Sequence, residues 1–364
     1  MPCLEPRDSQ ISSPVPLWGT VLSVQANYYN VKFDRSVLPV GALESKTLLC
    51  TRRSRLKKIG QQVMVGDRVQ VEDLDWACGR GAIAAVLPRQ TQLDRPSVAN
   101  ANQILLVFAL AEPPLDPYQL SRFLVKAESA GLAVSLCLNK SDLVAVSERQ
   151  QWCDRLKRWG YHPLPISVRT GDGLAELRDL LRQKITVISG PSGVGKSSTI
   201  NFLIPTANLR VAAVSGKLNR GRHTTRHVEL FDLPSGGLLA DTPGFNQPDL
   251  DCAPADLVYY FPEARSRLAQ ARCQFSNCLH RDEPNCAVRS DWERYEHYLK
   301  FLDDAIARQA ALNQRPDSES QLKQKIKAAG QQQYEPKLRT KRYRRLSRRT
   351  QHQALEELYQ DADL

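Results

Sequence analysis

The chain has 364 residues, which predicts about two or three domains of ordinary size. Its hydrophobic fraction of 42% can fill real cores and therefore excludes wholesale disorder. Lysine and arginine number 50 against 39 aspartates and glutamates, so the formal net charge is +11. This excess favours a polyanionic partner, meaning nucleic acid or a membrane surface, although a merely basic protein without such a partner is an equal alternative.

The sequence also lacks the features of secreted and membrane-embedded proteins. Residues 1–16 are polar, without the apolar core of a secretory signal, and no window approaches the roughly 18 consecutive apolar residues that span a bilayer. Three of the nine cysteines cluster between residues 273 and 286 and the others are scattered, which is not a disulfide framework. We therefore expect a cytoplasmic protein in a reducing compartment.

Alternating apolar and polar residues between 15 and 88 predict short strands that close into a small barrel. The strands that the alternation marks are Leu17–Val24, Tyr29–Phe33, Val69–Glu72 and Ala82–Leu87. Arg52–Lys58, which lies among them, carries five cations in seven residues. We expect a loop there, either a solvated one or one that contacts phosphate groups.

A different pattern begins near residue 100, where continuous apolar runs alternate with helical stretches. The apolar runs are Ile104–Ala109, Ala133–Leu138 and Ile185–Ile188, and the helical stretches are Tyr118–Ala130 and Glu148–Trp159. Strands buried on both faces and separated by helices predict a parallel α/β sheet with helices on either side. His227–Leu233 and Gly237–Ala240 predict a hairpin added to that sheet, and the chain becomes helical after residue 249.

A glycine-rich turn follows the third apolar run directly and precedes an apolar helix at 199–203. Its spacing is that of a phosphate-binding loop, in which glycines let backbone N–H groups turn inward around phosphates and the helix N-terminus adds a favourable dipole. Lys196 can reach the β and γ phosphates, and Ser197 can bind Mg²⁺. The residues assigned to the loop are Gly190, Pro191, Ser192, Gly193, Val194, Gly195, Lys196, Ser197 and Ser198.

The sequence Asn-Lys-Ser-Asp at 139–142 follows the second apolar run and predicts a preference for guanine over adenine. The carboxylate of Asp142 can accept hydrogen bonds from guanine N1–H and the 2-amino group, which adenine does not offer. Asn139 can bond the other edge of the ring, and the stem of Lys140 can lie over the base. A short loop that contains Ser167, at 166–171, is similar to the loop that backs the guanine.

A further phosphate-binding segment, Asp-Thr-Pro-Gly at 241–244, follows the strand at 237–240. Asp241 is placed to hold the Mg²⁺ shell, and the N–H of Gly244 is placed to sense the γ-phosphate. The base-reading residues therefore come first in the chain, whereas an ordinary GTPase begins with its phosphate loop. Such a rotated order is physically tolerable because only spatial adjacency matters and domain termini are often neighbours.

The polar loop Arg220–Thr225 lies between the two phosphate-binding segments and supplies the remaining candidates for catalysis. Either Thr224 or Thr225 can be the ligand of Mg²⁺ and the γ-phosphate. Phe245 stands where many GTPases carry a water-orienting glutamine, and a phenyl ring cannot orient water. His223 is the candidate for that role, and a structural or RNA-facing histidine is the alternative.

Three cysteines and one histidine fall within fourteen residues in the pattern Cys-x4-Cys-x-His-x5-Cys. Thiolates and an imidazole at this spacing supply a tetrahedral Zn²⁺ set, which stabilises a segment too short for its own core. Unconnected buried cysteines beside a surface histidine are the alternative. The residues assigned to zinc are Cys273, Cys278, His280 and Cys286.

The barrel, the rotated nucleotide motifs and the Cys/His pattern together make the chain resemble the RsgA (YjeQ) family of circularly permuted ribosome-assembly GTPases, over about residues 15–300. The resemblance implies an OB-type barrel and a GTP phosphohydrolase that uses Mg²⁺ and one Zn²⁺ per chain. It also implies a cytoplasmic protein of bacterial or organellar type that contacts rRNA, acts late in small-subunit maturation and is stimulated by that subunit. We expect a monomer with no membrane partner.

The expected fold is multi-domain. Its bounds are a flexible N-terminus at 1–14, an OB-type β-barrel at 15–90, a permuted P-loop GTPase domain at 91–250, a helical zinc-binding domain at 251–315 and a basic tail at 316–364. Between 321 and 350 the tail carries eleven lysines and arginines against one glutamate, so we expect it to be disordered and to order on RNA; a purely solubilising tail is the alternative.

Two functions of other kinds stay open at this point. One is an RNA-binding scaffold that holds GTP without turning it over. The other is a GTPase of a membrane or transport process, because a basic tail also suits anionic lipid. Phosphate release over many turnovers excludes the first, and binding to ribosomes rather than liposomes excludes the second.

Overall fold

The structure, a computed structural model, describes residues 17–33, 47–94, 96–207, 228–241, 250–313, 322–326 and 332–336. The chain divides into two units, residues 1–306 and 307–364. Among the described residues, no helix has the length and apolar character needed to cross a membrane.

The first unit begins with a closed barrel. Its strands are β1 (Leu17–Gln25), β2 (Tyr28–Phe33), β3 (Thr47–Arg52), β4 (Arg68–Asp75) and β5 (Arg80–Val86). Their order is β1-β2-β3-β5-β4, and β4 closes the barrel by pairing antiparallel with β1. Val21, Val31 and Ile83 belong to a fully buried barrel core, and the alternation that buries them is the pattern that predicted the strands. The predicted OB-type barrel is confirmed.

Two local features of the barrel differ from the prediction. The sequence does not predict β3, because its Leu49 faces outward and is 47% exposed, which hides the alternation of its neighbours. The loop predicted at 52–58 is wrong, because Ser54–Lys58 forms a short helix, α1. Leu56, the buried residue of this helix, packs into the barrel core and holds the helix there.

A small hairpin, β6 (Gln92–Asp94) and β7 (Ser97–Ala99), leads from the barrel into an α/β sheet. The strands of that sheet are β8 (Gln103–Ala109), β9 (Ala133–Asn139), β10 (Pro163–Pro165), β11 (Ile185–Ser189), β12 (Glu229–Asp232) and β13 (Leu238–Asp241). Their order is β10-β9-β8-β11-β13-β12, and all pair in parallel except β12, which pairs antiparallel with β13. The predicted parallel sheet and its added hairpin are both present.

Helices cover both faces of this sheet, as the continuous apolar runs predict. They are α2 (Pro117–Glu128), α3 (Val146–Arg158), α4 (Leu174–Leu181) and α5 (Lys196–Leu203). Along the fully buried β8, Ile104, Leu106 and Phe108 pack with α2 and α3. Leu105 and Val107 face the other way and pack with α4 and α5. Ligands of such sheets bind at the carboxyl ends of the central strands, which here are β8, β9 and β11.

Beyond the sheet, helices α6 (Pro262–Gln270) and α7 (Tyr295–Asn313) flank a segment without regular structure. Phe261 and Trp292 meet edge to face, with ring centroids 5.3 Å apart. The fully buried guanidinium of Arg294 pairs with Glu263 and lies 4.8 Å from the ring centroid of Trp159, at the end of α3. This helical region is therefore fastened to the sheet domain by buried aromatic and charged side chains.

In the second unit the structure describes an antiparallel hairpin, β14 (Leu322–Ile326) and β15 (Gln332–Pro336). No strand is predicted there, because these segments contain few of the β-branched and aromatic residues that favour strands. The rest of the predicted tail, and the predicted flexible N-terminus at 1–14, lie outside the described residues.

Candidate functional site

Asn139 joins the predicted base-reading segment to the predicted phosphate loop. It is the last residue of β9 and is only 2% exposed. Its side-chain Nδ2 donates a hydrogen bond of 2.8 Å to the carbonyl of Val194, and its Oδ1 accepts one of 2.8 Å from the N–H of Lys140. Residues 55 positions apart in the chain therefore meet at the carboxyl edge of the sheet.

Glycine is required at two points of the phosphate loop. Gly195 has a φ of +94°, and a Cβ there would lie 2.3 Å from the Nδ2 of Asn139. Gly190 has a φ of +142°, and a Cβ there would lie 2.0 Å from the carbonyl oxygen of Val107 in β8. The loop can approach both strands this closely only because these positions carry no side chain.

The first turn of α5 is arranged to receive an anion. Gly195 is its N-terminal cap and Lys196 its first residue. The Nζ of Lys196 donates to the carbonyls of Gly190 at 2.8 Å and Pro191 at 2.5 Å, so the ammonium group lies across the loop. Together with the positive end of the helix dipole, this charge favours phosphate at the loop. Ser192 is exposed, and Ser197 and Ser198 are half-buried.

Asp142 is held by the loop that was predicted to back the guanine. The hydroxyl of the fully buried Ser167 donates to Asp142 Oδ1 at 2.7 Å, and the N–H of Thr170 donates to the same Ser167 hydroxyl at 3.1 Å. Lys140 adopts a left-handed φ of 59° and its Nζ donates to the backbone carbonyl of Glu112. The exposed carboxylate of Asp142 thus has a fixed orientation at the mouth of the site.

The strand that carries Asp241 lies next to the phosphate loop. The backbone of Asp241, the last residue of β13, pairs with Ile188 of β11, and the loop begins two residues later. Strand pairing therefore brings this predicted Mg²⁺ ligand to the edge of the sheet that carries the loop. The other residues predicted to act near the γ-phosphate lie outside the described residues: His223, Thr224, Thr225, Gly244 and Phe245.

The Cys/His pattern converges on one point between α6 and α7. The ligand atoms of Cys273, Cys278, His280 and Cys286 all lie within 4.8 Å of one another. The Nδ1 of His280 is 3.5 Å from the sulfurs of Cys273 and Cys278 and 3.3 Å from that of Cys286. Three thiols and an imidazole that converge in this way form a donor set compatible with tetrahedral zinc.

Neighbouring side chains hold the backbone between these donors. The hydroxyls of Tyr295 and Tyr298 donate to the carbonyls of His280 at 2.8 Å and Leu279 at 2.6 Å. The carboxylate of Glu283 accepts from backbone N–H groups of the same turn, including that of Leu279 at 2.7 Å. Burial raises the pKa of Glu283, but these backbone donors outweigh it and lower the pKa to about 2.

Two features of the site escaped the sequence prediction. Glu283 lies inside the Cys/His spacing and could have been singled out as an acceptor for the turn, because a carboxylate there has several backbone N–H groups within reach.

The second feature is on the barrel, where a cavity of about 450 Å³ is lined by Tyr28, Leu49 and Arg80 among others, and Tyr28 is 52% exposed. These side chains come from four strands or their ends, so no local sequence pattern marks this surface.

The chain is similar to known proteins. A family model described as RsgA GTPase matches residues 86–251. The small ribosomal subunit biogenesis GTPase RsgA of Trichormus variabilis is 66% identical over 362 residues, covering 95% of this chain and 98% of its own. The crystal structure of YjeQ from Thermotoga maritima is similar, with a TM-score of 0.67 and 30% identity over 80% of this chain and 99% of that one. That of YloQ, a circularly permuted GTPase, gives a TM-score of 0.66 and 29% identity, covering 81% and 96%.

Proposed function

Because the chain belongs to the RsgA family of GTPases, we propose that it hydrolyses GTP to GDP and phosphate while bound to the small ribosomal subunit, and assists late maturation of that subunit. The observation that carries the proposal is the 2.8 Å hydrogen bond from Asn139 to the carbonyl of Val194, which ties the base-reading strand end to the phosphate loop. The names of relatives that match nearly the whole chain support the small ribosomal subunit as the partner. We further propose that the protein acts as a monomer in the cytosol.

Nucleotide binding would be divided among side chains at the sheet edge. Asp142, oriented by Ser167, would accept from guanine N1–H and the 2-amino group. Lys196 would neutralise charge on the β and γ phosphates. Ser197 and Asp241 would hold Mg²⁺, which when bound neutralises charge that develops on the transferred phosphoryl group.

Hydrolysis would depend on the loop that precedes β12 in the chain. Since Phe245 cannot orient water, we assign that role to His223, with Thr224 or Thr225 on Mg²⁺ and the γ-phosphate and Gly244 as its sensor. We expect His223→Ala to lower subunit-stimulated turnover by about 10²-fold and to leave GDP affinity unchanged. Full stimulated turnover in that variant would remove His223 from the mechanism.

Two described surfaces suit rRNA. The barrel presents Arg55, Lys57 and Lys58 on α1 and the exposed ring of Tyr28, a combination that can bind phosphates and stack on bases. At the Cys/His module, Phe275 is 43% exposed between the first two cysteines. We propose that Zn²⁺ on the four donors keeps this second surface folded, because the segment has no regular structure of its own.

The test is co-sedimentation of the full chain with small ribosomal subunits in the presence of a GTP analogue, GDP or no nucleotide, with anionic liposomes in parallel. We expect binding to subunits with the analogue, weaker binding with GDP and none to liposomes. Phosphate release over many turnovers, raised by subunits, separates a GTPase from a scaffold that only holds nucleotide. Binding to liposomes without binding to subunits would replace the ribosomal proposal with one at a membrane.

A further inference from the structure

Strand β1 belongs both to the barrel and to the edge of the α/β sheet. Within the barrel it pairs with β2 and β4, and its Ser23 also pairs antiparallel with Glu229 of β12. Its register against β2 shifts between Val21 and Ser23, so Leu22 is the extra residue of a β-bulge. Val21 lies in the barrel core, whereas Leu22 is buried in the core beneath the α/β sheet. The bulge therefore turns one barrel side chain into the other domain.

The point of contact lies on a row of paired residues that leads to the nucleotide site. Ser23 pairs with Glu229, Glu229 pairs with Asp241, and Asp241 pairs with Ile188. Ile188 is the penultimate residue of β11, the strand that enters the phosphate loop. The barrel is thus separated from the predicted Mg²⁺ ligand by a single strand, β12.

The other end of β12 is held by an ion pair. The Nζ of Lys32, on β2 of the barrel, lies 2.5 Å from Oδ1 of Asp232, the last residue of β12. β12 has only four residues; it pairs along its length with β13 and at one residue with β1. A strand this short is weakly held by its hairpin partner alone. Contacts on the second side of β12 therefore come from the barrel, through Leu22, Ser23 and Lys32.

We propose that Leu22 and Lys32 are positioning residues of the GTPase reaction, which act by holding β12, and through it Asp241, in register with the phosphate loop. The inference rests on the proposed role of Asp241 at Mg²⁺. It makes the barrel part of the catalytic architecture as well as a surface for RNA. A polyanion that displaced the barrel would therefore also displace Asp241, because only β12 lies between them.

The Lys32–Asp232 pair gives the cleaner test, because removing Leu22 also leaves a cavity in the core. The Mg²⁺ concentration that gives half-maximal GTP turnover is measured on the full chain without ribosomal subunits, so failure of the ribosomal proposal leaves the assay intact. For Lys32→Asp we expect this Mg²⁺ concentration to rise by about two- to fivefold. The two side chains are 24% and 47% exposed, and ion pairs this exposed stabilise a structure only weakly. Its affinity for GDP without Mg²⁺ should stay that of the unaltered chain.

The charge-swapped double variant, Lys32→Asp with Asp232→Lys, should return the Mg²⁺ requirement to within about twofold of the original value. The matched control is Arg53→Asp, which breaks two other barrel ion pairs, with Glu72 at 2.9 Å and Asp73 at 2.8 Å, away from β12. It should leave the Mg²⁺ requirement unchanged. An unchanged requirement in Lys32→Asp, or a double variant no better than the single one, would overturn the inference.

Discussion

The nucleotide site and the Cys/His module obtain their geometry in opposite ways. In the nucleotide site, Asn139 ends a buried strand and Gly195 caps a helix, and the pairing of the strands brings the two together. In the module, the four donors lie on a segment without regular structure, and single side chains such as Glu283 and Tyr298 hold its backbone.

The contrast shows where each site obtains its rigidity. Backbone hydrogen bonds between buried strands hold the nucleotide site, so we expect the fold to preorganise it. The module has little regular structure, so a bound metal would supply much of its folding free energy. Damage to one region should therefore leave the other largely intact.

Removal of the metal should give the largest difference in response between the two regions. Chelation, or Cys286→Ser, should unfold the module, because structural zinc in small modules contributes an apparent ~10–16 kcal/mol. Affinity for GDP should change by no more than about twofold. Reaction of Cys273 and Cys278 with a thiol reagent reports the module and calorimetry reports GDP binding, with the exposed Cys78→Ser as control. A parallel loss of GDP affinity would show that the two regions are not independent.

Within the nucleotide site, Gly195→Ala should have the largest effect. Strain at a φ of +94° and a clash with Asn139 at 2.3 Å should together cost about 2–4 kcal/mol, which lowers GDP affinity by roughly 30- to 10³-fold. Gly60→Ala is the matched control, because Gly60 also has a positive φ, +71°, but no atom within 4 Å of the new methyl group. Equal affinities in the two variants would place Asn139 away from the loop in solution.

Asp142→Asn should change which base is bound. The amide no longer accepts both guanine donors, so we expect GDP affinity to fall by about 10²-fold. Its N–H₂ group can instead donate to the 2-oxo group of xanthine, so xanthosine diphosphate should gain affinity. Ser167→Ala should lower GDP affinity by about tenfold or less, because it loosens the carboxylate without removing it. Unaltered preference for GDP in Asp142→Asn would exclude this residue from base recognition.

The smallest expected effect is that of Glu283→Gln on the module. A neutral amide accepts the backbone N–H groups less strongly than a carboxylate, so release of zinc to a chelator should be a few-fold faster. The pKa of Glu283 is depressed from 4.5 to about 2, so its contribution is complete above pH 4.5 and is lost as the pH falls through 2. The difference between the variant and the original chain should therefore be constant from pH 6 to 8. Asp282→Asn, with a side chain 87% exposed, is the control.

Much of the fold could be predicted from the sequence, because the local patterns agree with the burial that the chain achieves. The unbroken apolar run of β8 is buried on both sides, and the alternation of β2 follows the barrel wall. The prediction failed where a residue has a role that the pattern does not express. Leu49 faces outward in β3, and Leu56 anchors a helix within a run of cations.

The sequence predicts which residues belong to the candidate site, whereas the contacts between those residues are known only from the structure. Asn139 stands out by its four-residue pattern, but its bond to Val194 depends on the strand order β9-β8-β11, which no local pattern determines. Leu22 illustrates the limit more sharply. It directly follows the apolar Val21, so the alternation breaks where the bulge lies, but no local pattern shows that Leu22 is buried in the second core.

Competition between guanine and adenine nucleotides tests the shared pocket most directly. Calorimetric titration of the full chain with GDP should show binding at one site, and ADP should bind at least about 10³-fold more weakly, because adenine lacks the donors that Asp142 accepts. ADP that binds as well as GDP would contradict the assignment of residues 139–142 and 190–197 to a single guanine pocket.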